Sequence, residues 1–261
     1  MRDILEARNI TVNYGTQAVL SSLSLAIRQG EITALVGPNG SGKSTLLKAL
    51  ARLLRPTSGT VYLDGKPIER MGSAAVARRL AILPQTVRTP AGITVRELVE
   101  QGRYPHSGPL RMLRRQDHQA VDYALNATNM ASLAGRLLSQ LSGGERQRAW
   151  IALTLAQSTP ILLLDEPTSF LDIGHQLEIL ELVAGLNRSC GLTLVLVLHD
   201  LNHAARYADR MIVLNSGAIV ADGPPADVLT HHLLADVFRV QANIVSDAQT
   251  SHPICIPYAS V

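Results

Sequence analysis

The sequence has few aromatic residues and little charge. Of its 261 residues 3% are aromatic and 17% are charged, although 46% are hydrophobic, and a typical soluble domain has about 25% charged residues. Such an apolar surplus would suit a membrane protein, but no stretch approaches the ~18 uninterrupted apolar residues that a spanning helix needs. The longest apolar runs, ILLL before Asp165 and LTLVLVL before His199, have the length of strands. We therefore expect a chain that does not span a membrane and buries its apolar residues in strands.

Cysteine is scarce, and the basic charge is scattered. Cys190 and Cys255 have no CxxC spacing, which argues against a disulfide framework or a zinc site and fits a reducing compartment. The first residues contain no apolar signal-peptide core, so we expect a cytoplasmic protein. The net charge is +3, and its densest group is Arg111, Arg114 and Arg115. The sequence has no single basic block of the kind that would predict nucleic-acid binding.

Hydrophobic patterning predicts an α/β fold with a parallel sheet. Residues 4–12 and 23–27 alternate like half-buried strands, whereas EITALVG, RLAILPQ, ILLLDEP and LTLVLVLHD are continuous apolar strands with helical patterns between them. Buried strands alternating with helices are typical of parallel sheets. The strand signal disappears between about 88 and 158, which predicts an inserted helical lobe. A helix is predicted over KSTLLKALARLL, with Leu53 and Leu54 on its apolar stripe.

A glycine-rich segment between a strand and a helix predicts a phosphate site. GPNGSGKST fits the pattern G-x-x-x-x-G-K-[ST], in which glycines let backbone N–H groups turn inward around phosphate oxygens. The lysine places its charge on the β- and γ-phosphates, and the following serine offers a hydroxyl to Mg²⁺. This phosphate loop consists of Gly37, Pro38, Asn39, Gly40, Ser41, Gly42, Lys43, Ser44 and Thr45.

Two adjacent acids follow a buried strand. Asp165 directly follows the apolar run ILLL, and ligands of open α/β sheets bind at the carboxyl ends of strands. Asp165 is predicted to hold Mg²⁺, and Glu166 to polarise an attacking water. The phosphate loop and these acids together predict a nucleoside triphosphatase.

A third motif narrows the family. The signature segment LSGGERQR (141–148) lies between the phosphate loop and the two acids, and this order resembles the ATP-binding cassette (ABC) ATPases over about residues 4–240. The resemblance implies a P-loop NTPase core of RecA type, an N-terminal antiparallel β subdomain and the helical lobe. It also implies an ABC ATPase domain over 1–240 and a short C-terminal extension over 241–261, to which we assign no chemistry.

The resemblance further implies that two copies of the chain sandwich two ATP molecules. Ser142, Gly143 and Gly144 would then act on the ATP of the partner subunit. The segment 169–172 matches the family's D-loop, so that Asp172 would communicate across the dimer.

Three more residues take roles from the same resemblance. Gln85 matches the Q-loop glutamine, which touches Mg²⁺ and links to the membrane partner. His199 matches the switch histidine that contacts the γ-phosphate, and Tyr14 the aromatic residue that stacks on adenine. ATP and Mg²⁺ are the implied cofactors.

Three further segments, TPAGITVRELVEQGRYPHSGP (89–109), EPTSFLDIGHQLEILELV and LVLHDLNHAARYADRMIVLNSGAIVADGPPADVLT, resemble importers of the iron-siderophore, haem and cobalamin type. The part PTSFLDIGHQ is most similar to the siderophore branch. This implies a peripheral ATPase on the cytoplasmic face of the inner membrane, bound to permease subunits and served indirectly by a periplasmic binding protein. Haem, cobalamin or metal-ion import stays open, as does, in another class, a soluble ABC ATPase acting on nucleic acid or ribosomes. Arg103, Tyr104 and His106 are predicted to lie on a loop that docks on the permease.

Overall fold

The computed structural model describes residues 2–86, 91–107 and 113–261. The chain forms two compact units, a first unit of Met1–Arg70 with Thr193–Val261 and a second unit of Met71–Leu192. Within the described residues, no helix combines the length and the apolarity needed to cross a bilayer. Arg111 of the basic group lies outside the described residues.

Strands and helices follow one another in the predicted order. The strands are β1 Asp3–Tyr14, β2 Gln17–Arg28, β3 Ile32–Val36, β4 Ser58–Leu63, β5 Lys66–Pro67, β6 Leu80–Leu83, β7 Ile161–Asp165, β8 Thr193–Val197, β9 Arg210–Asn215, β10 Ala218–Gly223, β11 Val240–Ser246 and β12 Pro253–Ser260. The helices are α1 Lys43–Leu50, α2 Ser73–Ala77, α3 Val95–Gln101, α4 Tyr104–Ser107, α5 Arg115–Ala127, α6 Gly143–Ala156, α7 Ile173–Cys190, α8 Leu201–Tyr207, α9 Pro225–Val228 and α10 His231–Phe238.

The first unit contains the antiparallel sheet near the N-terminus, with strand order β2-β1-β4-β5. Residue Leu5 pairs with Leu63 of β4, and Ala7 pairs with Leu25 of β2. Buried and exposed residues alternate along β1, because successive side chains of a strand point to opposite faces of the sheet. The predicted half-buried strands are therefore confirmed.

Four further strands of the first unit follow the order β10-β9-β3-β8. β3 runs parallel to β8 and to β9, and every residue of β3 and β8 is buried. Strands covered on both faces are nearly continuous apolar runs, which explains the ITALV and TLVLV segments, each with one buried threonine. The carboxyl ends of β3 and β8 lie at one edge because the strands are parallel, and they lead to Gly37 and His199.

Helix α1 is shorter than predicted. It ends at Leu50, and Arg52 takes a left-handed conformation with φ of 59°. The N–H of Arg52 donates to the carbonyl of Ala49 and that of Leu53 to Lys48, the two bonds of a Schellman motif. The prediction that Leu53 and Leu54 continue the apolar stripe is wrong, and Leu53 is 62% exposed.

The second unit combines a parallel strand pair with most of the helices. β6 pairs with β7 from Leu80↔Ile161 to Leu83↔Leu164, and the predicted helices are present as α3, α5, α6 and α7. Thr94 begins α3 with a capping box, its hydroxyl accepting from the N–H of Glu97. The limits of the helical lobe, about 88 and 158, stay a prediction.

Arg103 lies between α3 and α4, outside the helices as predicted, but its side chain is buried. Its side chain is 7% exposed and its Nε donates to Asp117 Oδ1 at 2.9 Å, while Nη1 donates to the carbonyl of Ala156 and to Ser158 Oγ. Burial by itself raises the pKa of Asp117. Hydrogen bonds from the Arg114 N–H and from Arg103, with the charge of Arg103, outweigh it and lower the pKa. Arg103 is thus a buried charge partner rather than a docking residue.

Tyr104 and His106 belong to the short helix α4. Tyr104 is largely exposed, and His106 Nε2 lies 2.8 Å from the carbonyl oxygen of Gln157. These two residues are therefore not on an irregular loop, and their proposed docking role stays a prediction.

The C-terminal extension forms the antiparallel hairpin β11–β12. Asn202 of α8 accepts from the Cys255 N–H through Oδ1 and donates from Nδ2 to the Cys255 carbonyl. Cys255 and Ala242 are the buried residues of the hairpin strands. Within the first unit, this extension therefore packs on α8 through the Asn202 side chain, which pairs with the backbone of Cys255.

Candidate nucleotide site

Glycine is required by geometry in the phosphate loop. Gly37, directly after β3, has φ of 146°, and a Cβ there would overlap the backbone oxygen of Leu214. Gly40 and Gly42 have φ of 77° and 103°, which side-chain-bearing residues rarely adopt. Gly42 immediately precedes α1, so the loop ends at a helix N-terminus, where N–H groups favour an anion. The backbone is therefore shaped as the sequence predicts for phosphate.

Two polar side chains of the loop fit the same ligand. The ammonium of Lys43 donates to the carbonyl oxygens of Gly37 at 2.8 Å and Pro38 at 2.9 Å. Ser41 is 3% exposed, and its hydroxyl has no hydrogen-bond partner among the described residues. An unpaired buried hydroxyl costs stability, and phosphate oxygens would satisfy it. Asn39 is exposed, while Ser44 and Thr45 are half-buried in the first turn of α1.

His199 and Tyr14 also lie in the first unit. His199 is exposed two residues after β8. The Leu198 N–H donates to Leu35, and Asp200 caps α8 by accepting from the N–H groups of Asn202 and His203. The backbone on both sides of His199 is thus fixed. Tyr14 ends β1 and is 51% exposed, and its stacking on adenine stays a prediction.

In the second unit, Glu166 is held by two side chains. Its Oε2 accepts from Gln85 Nε2 at 2.6 Å and from Ser169 Oγ at 2.8 Å. Asp165 is the buried last residue of β7, and Glu166 has φ of 52°, a strained conformation for a residue with a side chain. The structure thus brings Gln85 to Glu166, and adds Ser169, whose part the sequence did not reveal.

The signature segment begins a helix, as predicted. Ser142 is the N-cap of α6, with its Oγ accepting from the Glu145 N–H and its own N–H donating to Glu145 Oε2. Two hydrogen bonds to the Glu145 carboxylate lower its pKa, first the one from the Ser142 N–H and then the one from the Ser142 hydroxyl. Gly143 is exposed and Gly144 is buried.

The D-loop leads into α7. Asp172 is its N-cap and accepts from the His175 N–H. Asp172 Oδ2 also lies 2.7 Å from His175 Nδ1, and these two bonds lower the pKa of Asp172. His175 was missed by the sequence reasoning. The signal for it was its position, three residues after an N-cap aspartate.

Both units contain oxygen donors of the kind Mg²⁺ prefers. Ser44 offers a hydroxyl, Gln85 an amide oxygen and Asp165 a carboxylate. The donor chemistry therefore fits the predicted cation, and the phosphate loop fits the predicted nucleotide.

Comparison with known proteins identifies the family. A family model described as ABC transporter matches residues 20–169. The petrobactin import ATP-binding protein of Bacillus anthracis is 48% identical over 258 residues, which cover 99% of this chain and 94% of that protein. The iron(3+)-hydroxamate import ATP-binding protein of Bacillus subtilis (strain 168) is 46% identical over 254 residues, covering 97% and 94%.

A solved structure agrees with these relatives. The dimeric structure of a bacterial ABC transporter cassette is 30% identical to this chain with a TM-score of 0.75, covering 85% of this chain and 99% of that one. Since more than half of the sequence matches the family model and the relatives match almost throughout, this chain belongs to the ATPases of the ABC transporter family.

Proposed function

We propose that this protein is the ATP-hydrolysing subunit of an importer for an iron complex, a ferric siderophore. The observation that carries the proposal is its near-full-length similarity to proteins named for petrobactin and iron(3+)-hydroxamate import. The ATPase never meets the cargo, so the substrate follows from kinship, whereas ATP hydrolysis is supported by the site's own chemistry.

In this proposal the phosphate loop binds the triphosphate. Lys43 exchanges its two carbonyl partners for phosphate oxygens, and its charge counters the negative charge that develops on the transferred group. Ser41 gains its missing hydrogen-bond partner, and Tyr14 stacks on adenine. When bound, Mg²⁺ adds positive charge at the β- and γ-phosphates, and Ser44, Gln85 and Asp165 are the residues that would hold it.

Glu166 activates the water. As a carboxylate beside the γ-phosphate it accepts a proton from the attacking water, and His199 hydrogen-bonds the γ-phosphate. Its Oε2 accepts hydrogen bonds from Gln85 and Ser169, and these two bonds orient the carboxylate.

The partners follow from the same family. A second copy supplies Ser142, Gly143, Gly144 and Asp172 to each nucleotide, as a dimeric relative supports. Permease subunits receive the motion, a periplasmic binding protein delivers the iron complex, and the ATPase lies at the cytoplasmic face of the inner membrane.

Uptake in a deletion strain tests the substrate. Iron-labelled siderophore, labelled haem and labelled cobalamin are supplied separately, and the strain is complemented with the wild-type gene or with Lys43→Ala. We expect loss of siderophore uptake alone, restored by wild type and not by the variant. Loss of haem or cobalamin uptake instead would replace the siderophore with that cargo.

ATP hydrolysis by the purified protein tests the class. Stimulation by the co-purified permease is expected, with no response to DNA, RNA or ribosomes. Stimulation by a nucleic acid or by ribosomes, without any by the permease, would contradict the transporter proposal.

A further inference from the structure

The first turn of α7, which directly follows the D-loop, touches the beginning of α6, the helix of the signature segment. Cδ2, Cγ and Nε2 of the His175 ring all lie within 3.2 Å of the position that a Cβ on Gly144 would take. Residues 143 and 144 thus face the start of α7 and the residue Leu171 before it, since a Cβ added to Gly143 would lie in ordinary van der Waals contact with the Leu171 side chain. Gly144 lacks a side chain where an imidazole ring fills the space.

The other edge of the same ring is bound to the D-loop. His175 Nδ1 lies 2.7 Å from Asp172 Oδ2, and the His175 N–H donates to Asp172 Oδ1 at 3.0 Å. Since a carboxylate only accepts hydrogen bonds, the ring donates its Nδ1 proton to Asp172. One side chain therefore contacts the D-loop aspartate and the second glycine of the signature segment together.

Two more contacts support this connection. Gln176 Nε2 donates to the Leu171 carbonyl at 2.8 Å, and Arg148 of α6 pairs with Glu178 of α7 at 3.1 Å. The latter pair is partly exposed and contributes roughly 0–1 kcal/mol. The half-exposed His175, packed against Gly144, is the more specific connection between the two segments.

We infer that His175 is a positioning residue that holds Asp172 and Gly144 as one surface toward the nucleotide of a second subunit. This inference rests on the proposed function, in which both residues act across the dimer. A misplacement of about 1 Å in such a group costs roughly 100-fold in rate. The ring does not touch ATP in this proposal, so it sets the rate of the closed dimer and not the affinity of the phosphate loop.

Two variants test separately the hydrogen bond of His175 to Asp172 and the packing of its ring on Gly144. His175→Asn keeps an N–H donor toward Asp172 and removes the ring from Gly144, whereas His175→Phe keeps a ring and removes the hydrogen bond. In the permease complex we expect each to lower kcat by about tenfold or more, with the KM for ATP within about twofold of wild type.

His232→Asn is the matched control. His232 pairs with Asp236 at 2.9 Å on the exposed surface of α10, so the same chemical change there should leave kcat unchanged. Wild-type kcat in both His175 variants would overturn the inference. So would an equal loss in the His232 variant.

A measurement that needs no turnover tests the contact itself. Gly144→Ala places a methyl group against the ring and should lower the melting temperature, and adding His175→Asn should restore most of that loss. If the melting temperature is not restored, the inference fails even where the enzyme is active. If wild type does not hydrolyse ATP at all, the proposed function fails and this thermal result still stands.

Discussion

At the scale of single residues, Glu166 carries the clearest prediction. Its Oε2 accepts hydrogen bonds from Gln85 and Ser169, and Glu166→Gln keeps the shape of the side chain while removing its basicity. Because a general base contributes about 10²–10⁴-fold, we expect steady-state ATP hydrolysis by the permease complex to fall at least 100-fold. Phosphate release measures it.

Glu181→Gln is the matched control, since Glu181 is an exposed residue of α7. It should hydrolyse ATP at the wild-type rate. Normal turnover in the Glu166 variant would refute its role as the base.

Glu31 gives a residue-scale prediction about stability. It is 6% exposed, and its Oε1 has no partner among the described residues. Burial raises the pKa of Glu31, and the charges of Arg210 and Arg28 only partly oppose it. A raised folded-state pKa means that the ionised form costs stability above that pKa, and the cost vanishes as the pH falls below the ordinary value.

Glu31→Gln should therefore raise the melting temperature at pH 8 by about 2–4 °C, which corresponds to about 1 kcal/mol. The gain should shrink towards pH 4. Glu69→Gln, at an exposed carboxylate, serves as the control with no change. A gain that is constant with pH would contradict the assignment to burial of charge.

At the scale of elements, the buried pair between Arg103 and Asp117 connects α5 to the segment before α4. The two side chains are 7% and 2% exposed. Removing one member of a buried pair leaves an uncompensated charge and costs about 3–5 kcal/mol, whereas replacing both by apolar residues is often neutral.

Arg103→Leu should thus destabilise strongly in denaturant unfolding, and Arg103→Leu with Asp117→Leu should recover much of the loss. Because the folded-state pKa of Asp117 lies below its ordinary value of 3.8, its contribution is present above that value and is lost as the pH falls through the lowered pKa. Additive losses in the double variant would show that the two charges do not depend on each other.

At the scale of the whole molecule, Glu166→Gln should trap an ATP-bound dimer. A subunit that binds ATP without hydrolysing it keeps the nucleotide that joins the two copies. Light scattering should then give a mass of twice 28.1 kDa with ATP and 28.1 kDa with ADP. Lys43→Ala, which removes the phosphate-binding charge, should remain monomeric in both, and an ATP-independent dimer would contradict this origin of association.

Much of the fold was predictable because it rests on local patterns. The apolar runs became β3, β7 and β8, and Ser142 begins α6 as its sequence context indicates. The early end of α1 was not predictable, because arginine does not favour the left-handed conformation that Arg52 adopts there.

One residue whose burial was not predicted, Arg103, and one residue that was missed, His175, both depend on tertiary partners. Arg103 is buried only because Asp117, 14 residues later, pairs with it. The positioning role inferred for His175 depends on the contact of its ring with Gly144 on another helix. No spacing in the sequence announces either contact, whereas the phosphate loop is contiguous and could be read directly.

The left-handed backbone of Glu166 has a consequence for protein engineering. Its φ of 52° strains most side-chain-bearing residues by about 1–2 kcal/mol, whereas glycine and asparagine take this conformation more easily. A library selected only for heat resistance would therefore enrich glycine or asparagine at 166 and return robust proteins that no longer turn over. Directed evolution of this enzyme needs selection for iron-dependent growth in every round, because the strained position carries the carboxylate proposed to activate the water.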